Sequence, residues 1–293
     1  MTTTDFIVQL YCDIDDFMKT SFPERCLRHR GPLPQLSDSE VLTMEIAGEY
    51  LGYDQDKKMV AFFRQYYRNW FPHLHCRETF LRQAANLWSI KESLFHALAD
   101  RYRDTIIVLD SLPIAVCRFA RARRCRLFKG LAAYGKELGQ QTFYGFRFHL
   151  KINSIGMIQD CALTAANISD IHLVRQLTAQ DCGLMLADRG YESRPLRMEL
   201  MQTQGLEISI PTKYGQPTDL PPKVLKARKH TRRLIETVGS QLVDGLHLKK
   251  VRARDLWHLT NRIWRKVLTH TFMVIYCLKH DLKPLQFSRL IAA

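Results

Sequence analysis

Two short apolar runs each close on an aspartate, and together they limit the folds open to this chain. Thr105-Ile106-Ile107-Val108-Leu109 leads into Asp110-Ser111, and Gly183-Leu184-Met185-Leu186-Ala187 leads into Asp188-Arg189-Gly190-Tyr191. Runs this short, apolar or β-branched and bounded by Asp, Ser, Gly or Pro, read as buried strands. A buried strand needs no carboxylate at its tip, so each Asp either caps a turn or holds a cation. A third acid, Glu236, lies in a helical, basic segment. Two strand-end aspartates and one helical glutamate form an all-oxygen donor set suited to hard divalent ions.

Residues 1–100 carry helical periodicity only. Ser37-Asp38-Ser39-Glu40 is a capping box opening a helix through Val41, Leu42, Met44 and Ile46, after the break at Gly31-Pro32-Leu33-Pro34. Two further helices run through Met59–Phe63 and from Arg77 to Trp88. With their arginines and aromatics these helices are either a DNA reader or a helical cap on the next domain. Asp13, Asp15 and Asp16 read as a solvated helix face, because no calcium-loop pattern follows.

From Arg101 the period changes. After the first strand and Ile114-Ala115-Val116 comes a basic run, Arg118 to Lys129, with a loop-like stretch at Gly135 and Gly139. Phe143–Ile152 alternates with period two, Asn153-Ser154-Ile155-Gly156 turns, and Met157–Thr164 pairs back as a hairpin. A helix starts at Asn167-Ile168-Ser169-Asp170, and the second Asp-ended strand follows. Next come a helix from Pro195, a strand Glu207–Pro211, a linker Pro217–Pro222 and a helix from Lys223 to Val243 that carries Glu236. The segment Leu256–Leu282 is helical, with Trp257, Ile263, Trp264, Val267, Leu268, Phe272 and Ile275 on one apolar face.

Charge narrows the partner. The chain has 293 residues, with 43 Lys+Arg against 29 Asp+Glu, a net +14 that favours a polyanion. Three basic runs flank the acids, so phosphate-backbone contact is expected from Arg118, Arg121, Arg123, Arg124 and Lys129, and from Lys229, Arg232 and Arg233. Eight cysteines include no C-x-x-C pair, so no zinc site and mostly buried thiols in a reducing compartment are expected. Neither a basic leader nor an apolar run near 18 residues is present, which points to a cytoplasmic protein away from membranes.

The order strand, hairpin, helix, strand, helix, strand, helix matches the ribonuclease H-like fold. Five motifs in that order carry a family resemblance: Ile107-Val108-Leu109-Asp110-Ser111; Tyr144-Gly145-Phe146-Arg147-Phe148-His149-Leu150; Ala166-Asn167-Ile168-Ser169-Asp170; Leu186-Ala187-Asp188-Arg189-Gly190-Tyr191; and Arg232-Arg233-Leu234-Ile235-Glu236-Thr237. On these residues, spanning about 100–245, the chain resembles the DDE transposases of bacterial insertion sequences. The resemblance implies an α/β fold with a mixed five-stranded sheet flanked by helices at 101–245. An all-helical region would precede it at 1–100, and a helical tail at 246–293 would pack on the core. It also implies that Asp110, Asp188 and Glu236 hold two Mg2+ ions, with Mn2+ able to substitute, Asp110 bridging both. The implied activity is strand cleavage at terminal inverted repeats and transfer of the freed 3′-hydroxyl into target DNA. The implied state is a homodimer or higher on DNA, associated with the bacterial nucleoid.

There are departures and rivals. The larger group has Tyr, Arg, Glu and Lys at fixed spacing on the last helix. Arg232 and Glu236 keep that spacing, but Lys229 and Val243 stand at the Tyr and Lys places. The 47 residues between Asp188 and Glu236 leave no room for a large inserted domain. His149, Asp170 and Tyr191 are candidates to support the site. His149 is either a phosphate donor or an exposed strand residue, and Tyr191 and Trp70 either stack on bases or pack in the core. The rival functions are a nuclease without strand transfer and a domesticated DNA-binding protein.

Overall fold

The structure is a computed structural model that describes residues 1–23, 33–74, 76–137, 141–210 and 222–291, without the side chains of 222–224 and 227. The breaks expected at Gly31-Pro32, at Gly139 and at 217–221, and the strand-closing Pro211, lie outside the described residues. In chain order the helices are α1 (Thr3–Ser21), α2 (Asp38–Tyr50), α3 (Asp56–Tyr66), α4 (Arg77–Asn86) and α5 (Trp88–Ala99). Then come β1 (Ile106–Ala115), β2 (Ala133–Lys136), β3 (Thr142–Asn153), β4 (Ile158–Ala165), α6 (Val174–Leu177), β5 (Gly183–Leu186), α7 (Arg194–Gln204), β6 (Leu206–Ser209), α8 (Pro222–Ser240) and α9 (Leu256–Lys279). They fall into two compact units, one of residues 1–97, 244–247 and 255–293, the other of 98–243 and 248–254.

The first unit is all helical. Ser37 caps α2 through the expected box, its hydroxyl accepting from the Glu40 N–H at 3.1 Å while Glu40 accepts from the Ser37 N–H at 2.6 Å. Thr2 and Asp5 form a second box on α1. The C-terminal helix α9 belongs to this unit and packs on α2 and α4, which differs from the expected packing on the catalytic core. Its burial is also not one-sided. Nearly every residue from Ile263 to Cys277 is buried, Arg265 and Lys266 included. Those cations meet acids of α2 and α3: Arg265 contacts Glu49 at 2.5 Å and Asp56 at 2.8 Å, and Lys266 contacts Glu49 at 2.8 Å. Lys91 of α5 pairs with buried Glu45. Asp13 accepts from the Tyr276 hydroxyl at 2.9 Å and Asp15 from the Ser39 hydroxyl at 2.9 Å, so these acids fasten α1.

The second unit is a mixed α/β sheet. Its five long-range strands run β4-β3-β1-β5-β6, with β3 antiparallel to β1 and β4, and β5 and β6 parallel to β1. This is the ribonuclease H-like order, with the first strand central. The loop-like stretch at Gly135 is in fact a sixth strand, β2, on the end of β3. Glycine allows that crowding: a Cβ on Gly135 would stand 2.5 Å from the Ala166 carbonyl oxygen, and one on Gly145 would stand 2.0 Å from that of Ile114.

β1 differs from the expected short strand. It continues past Asp110 through Pro113 to Ala115, so Asp110 is not at its tip. The pairing explains this. Val116 donates to Tyr144, which sets the even-numbered β1 residues to bond β3 and turns the odd-numbered N–H groups the other way. On that other side the β5 ladder ends at Val108, so Pro113 removes a donor the sheet does not use. The odd face of β1 packs Ile107 and Leu109 against Leu173, Val174, Leu177, Leu196 and Leu200. The even face carries Asp110 and Leu112, and α8 crosses it, with Gly239 against Leu112. Among the seven described cysteines only Cys277 is buried, which corrects the expectation of mostly buried thiols.

Candidate active site

Parallel pairing of Val108 with Leu186 brings the two Asp-bearing strands side by side, and two residues later it sets Asp110 beside Asp188 on the same face. Each carboxylate accepts from the backbone N–H that follows it, Asp110 within β1 and Asp188 at the turn after β5. Asp110 accepts from the Ser111 N–H at 2.8 Å and Asp188 from the Arg189 N–H at 2.7 Å. Burial pushes the Asp110 carboxyl up to about 6; the charges of Asp188 and Asp170 add to this, and the Ser111 N–H and the Arg232 cation oppose it. Such a pair of neighbouring carboxylates invites a cation.

Arg232 supplies one. Its Nη2 donates to Asp188 Oδ1 at 3.1 Å. The expectation that Arg232 touches DNA therefore meets a guanidinium already bound to a strand-end carboxylate. Glu236 is exposed one turn further along α8. At about 100° per residue, Arg232, Glu236 and Gly239 share one flank of the helix. That flank touches Asp188 through Arg232 and Leu112 through Gly239. Even so, among the described residues no three acids, histidines or cysteines are gathered closely enough to hold a metal. Asp110 and Asp188 lie near enough for their charges to interact, and Glu236, exposed on the flank of α8 that carries Arg232, does not complete a metal cluster with them.

Asp170 joins from the opposite side. Its Oδ2 accepts from the Ser111 hydroxyl at 3.0 Å, and its Oδ1 faces Arg147 Nε and His149 Nδ1, each at 3.6 Å. Arg147 also donates to Ser111 Oγ at 3.2 Å and to the Lys136 carbonyl at 2.9 Å. Four buried polar atoms here make no hydrogen bond to the described residues: Asp170 Oδ1, Arg147 Nε, His149 Nδ1 and the Tyr191 hydroxyl. Contacts of 3.6 Å around such atoms suit a bridging water. Gly190 lies against the same carboxylate, 3.8 Å from an added Cβ. Asp170 thus stands between the residue after Asp110 and the turn after Asp188.

His149 is fully buried, so it is neither an exposed strand residue nor a group free to meet phosphate. Its Nε2 contacts Thr164 Oγ1 at 2.8 Å, and burial holds the imidazole down at about 4 against the pull of Asp170, so it is neutral near pH 7. Tyr191 is buried too, which removes it as a stacking surface, and burial together with Asp170 and Asp110 pushes its phenol up. Trp70 is exposed. Arg147 and Ser111 are the members of this cluster that sequence reasoning missed. The alternation of Arg147 and His149 on β3 was the available signal, since it puts both on the Ser111 face.

The basic residues divide by position. Arg118, Arg121, Arg123, Arg124, Lys129, Lys229 and Arg233 are exposed. Arg228 is instead tied to β6, donating to Ser209 Oγ at 2.7 Å.

Residues 101–256, more than half of the chain and including every residue of this cluster, match the family model described as "Transposase DDE domain". The chain belongs to the DDE transposase family. Among solved structures, the DDE chain is similar to a piggyBac transposase, seen by cryo-electron microscopy in a synaptic complex with hairpin DNA. Identity is 10% and the TM-score 0.44, over 100% of this chain and 86% of that one. No curated protein sequence matches it. No helix among the described residues is long and apolar enough to cross a membrane.

Proposed function

We propose that this transposase cuts DNA at the inverted repeats of an insertion sequence and transfers the freed 3′-hydroxyl into target DNA with the help of two magnesium ions. The observation that carries this reading is the side-by-side placement of Asp110 and Asp188 within a matched DDE domain. The donor set fits the metal: oxygen-only ligands, with Asp110 raised by burial and by its neighbouring carboxylates, and a resident arginine already compensating Asp188. Two bound ions would supply Lewis acidity at the attacking and leaving oxygens. Asp110 would hold both, Asp188 one and Glu236 the other. Arg232 would release Asp188 and turn to a DNA phosphate as α8 brings Glu236 inward. Arg118, Arg121, Arg123, Arg124, Lys129, Lys229 and Arg233 would track the backbone, and the helices of the first unit would read the repeats. The assembly would be a homodimer or larger on paired ends, acting in a bacterial cytoplasm at the nucleoid.

The test is incubation with labelled repeat ends, a plasmid target and Mg2+. Joined product is expected from the wild type and none from Glu236→Gln. Cleavage without joining would support the nuclease instead, and full activity of Glu236→Gln would remove that residue from the metal set.

Asp170 acts in this reading as a positioning residue for both aspartates. Asp170→Asn keeps the shape and the Ser111 contact but removes the charge facing Arg147 and His149. Metal-dependent cleavage should fall about 10–100-fold, as for other groups that orient metal ligands, with the Mn2+ half-saturation raised. Mn2+ affinity by calorimetry should weaken in parallel, while the melting curve stays cooperative. An unchanged Mn2+ affinity would leave Asp170 a purely structural acid.

A further inference from the structure

The basic segment after β1 is a built surface, and its apolar part has no use in the reading above. Between Asp110 and Glu137 the chain contains no acidic residue. Arg118, Arg121, Arg123, Arg124, Arg126 and Lys129 are all exposed, and no ion pair joins any of them to the described residues. A chain of short turns fixes the segment: Arg121 N–H donates to the Arg118 carbonyl at 2.8 Å, Cys125 to Ala122 at 3.1 Å, and Ala132 to Phe128 at 2.8 Å. Phe128 anchors it. That residue has φ 56°, a conformation costly for a bulky side chain, yet its ring is buried edge-on against Phe146 at 5.3 Å.

On this anchored turn large apolar groups face solvent. Phe119 is 57% exposed, Leu131 50% and Tyr134 46%. The Phe119 and Tyr134 rings stand edge to face at 6.4 Å, and Tyr134 leans on Tyr144 at 5.2 Å. A second copy of this chain placed face to face would set like cations against like cations. The partner must be anionic and must also offer flat apolar faces. Nucleic acid with unpaired bases offers both, whereas a paired duplex hides its base faces. The place is also within reach of the carboxylates. Ala115 stands five residues beyond Asp110 on one strand, about 17 Å at 3.3 Å per residue, which is roughly five base steps of DNA.

We propose that Phe119 and Tyr134 form a stacking ledge for unpaired bases of the DNA whose backbone the surrounding arginines hold. The inference rests on the reading that this chain acts on DNA. It adds that the chain prefers DNA opened a few base pairs from the cut.

The test uses the full chain and two labelled duplexes of one sequence, one fully paired and one with a short unpaired stretch carrying 2-aminopurine. The wild type should bind the opened duplex about tenfold more tightly, the worth of one or two stacked bases, and should quench the 2-aminopurine. Phe119→Ala and Tyr134→Ala should lose the preference and the quenching. They should keep their affinity for the paired duplex and its salt dependence, because the cations remain. Phe119→Trp should keep both effects. Equal binding of the two duplexes by the wild type, without quenching, overturns the ledge alone. So would tighter binding to phosphatidylserine vesicles than to either DNA, or a loss of self-association in the alanine variants. A chain that binds neither duplex overturns the DNA reading, and the ledge with it.

Discussion

Asp110→Asn should abolish strand cleavage and, in the metal-free protein, raise the melting temperature. The first effect follows if Asp110 holds both ions: losing it removes several kcal/mol of transition-state stabilisation, a rate loss of about a thousandfold or more. The second follows from the carboxyl's setting. Its folded value of about 6 lies above the ordinary 3.8, so the folded state binds the proton more tightly than the unfolded chain does. The associated stability is fully present below about pH 4 and is lost as pH rises through 6. Above that the ionised group costs about 3 kcal/mol, by about two pH units at 1.36 kcal/mol each. Asn carries no charge and keeps an oxygen for the Ser111 N–H. The variant should therefore be about 1–3 kcal/mol more stable than the wild type at pH 7–8 and equal to it near pH 4. Mg2+ should narrow the gap by stabilising the wild type alone. Urea melts across pH 4–8 decide it; two parallel stability profiles would mean that Asp110 is well solvated and far from the other acids.

Glu49→Ala is expected to unfold the helical unit at much lower denaturant. Glu49 is buried and is the shared counter-ion of Arg265 and Lys266. Arg265 keeps Asp56 and Glu45, but among the described residues Lys266 would keep only the Leu246 carbonyl at 2.6 Å. Removing one partner of a buried pair costs about 3–5 kcal/mol, because the other charge stays desolvated. The pH dependence adds a signature. Burial already holds the Lys266 ammonium down at about 8 against the pull of Glu49. The unfolded chain, with Lys near 10.5, thus binds more protons than the fold between pH 8 and 10.5, and stability from this group rises across that window. Without Glu49 the folded value drops further, so the deficit should be worst at neutral pH and shrink toward pH 10. A loss below about 1 kcal/mol would mean that water reaches the cluster.

Much of the catalytic unit could be read from the chain because its signals are local. Short apolar runs and a Gly-containing hairpin turn at Asn153–Gly156 depend on near neighbours, as does the capped helix at Ser37 in the helical unit. The strand order then follows from the family motifs. What escaped depends on partners distant in sequence. Pro113 looks like a strand terminator until β5 is known to end at Leu186. Gly135 looks like a loop until Ala166 is known to lie against it. Arg265 and Lys266 look like a wet helix face until Glu45, Glu49 and Asp56 arrive from α2 and α3. Asp170 was visible as a motif residue, but its grip on Ser111 and Arg147 was not.

The membership of α9 in the first unit has a practical result for anyone dissecting the molecule. The helical body is discontinuous in sequence: residues 1–97 supply the acids and residues 255–293 return with the matching cations. A fragment cut after the DDE segment would leave Glu49 and Glu45 facing a hole where α9 belongs. An amino-terminal piece for binding studies should instead be made by excising the middle and joining its two flanks with a short flexible tether.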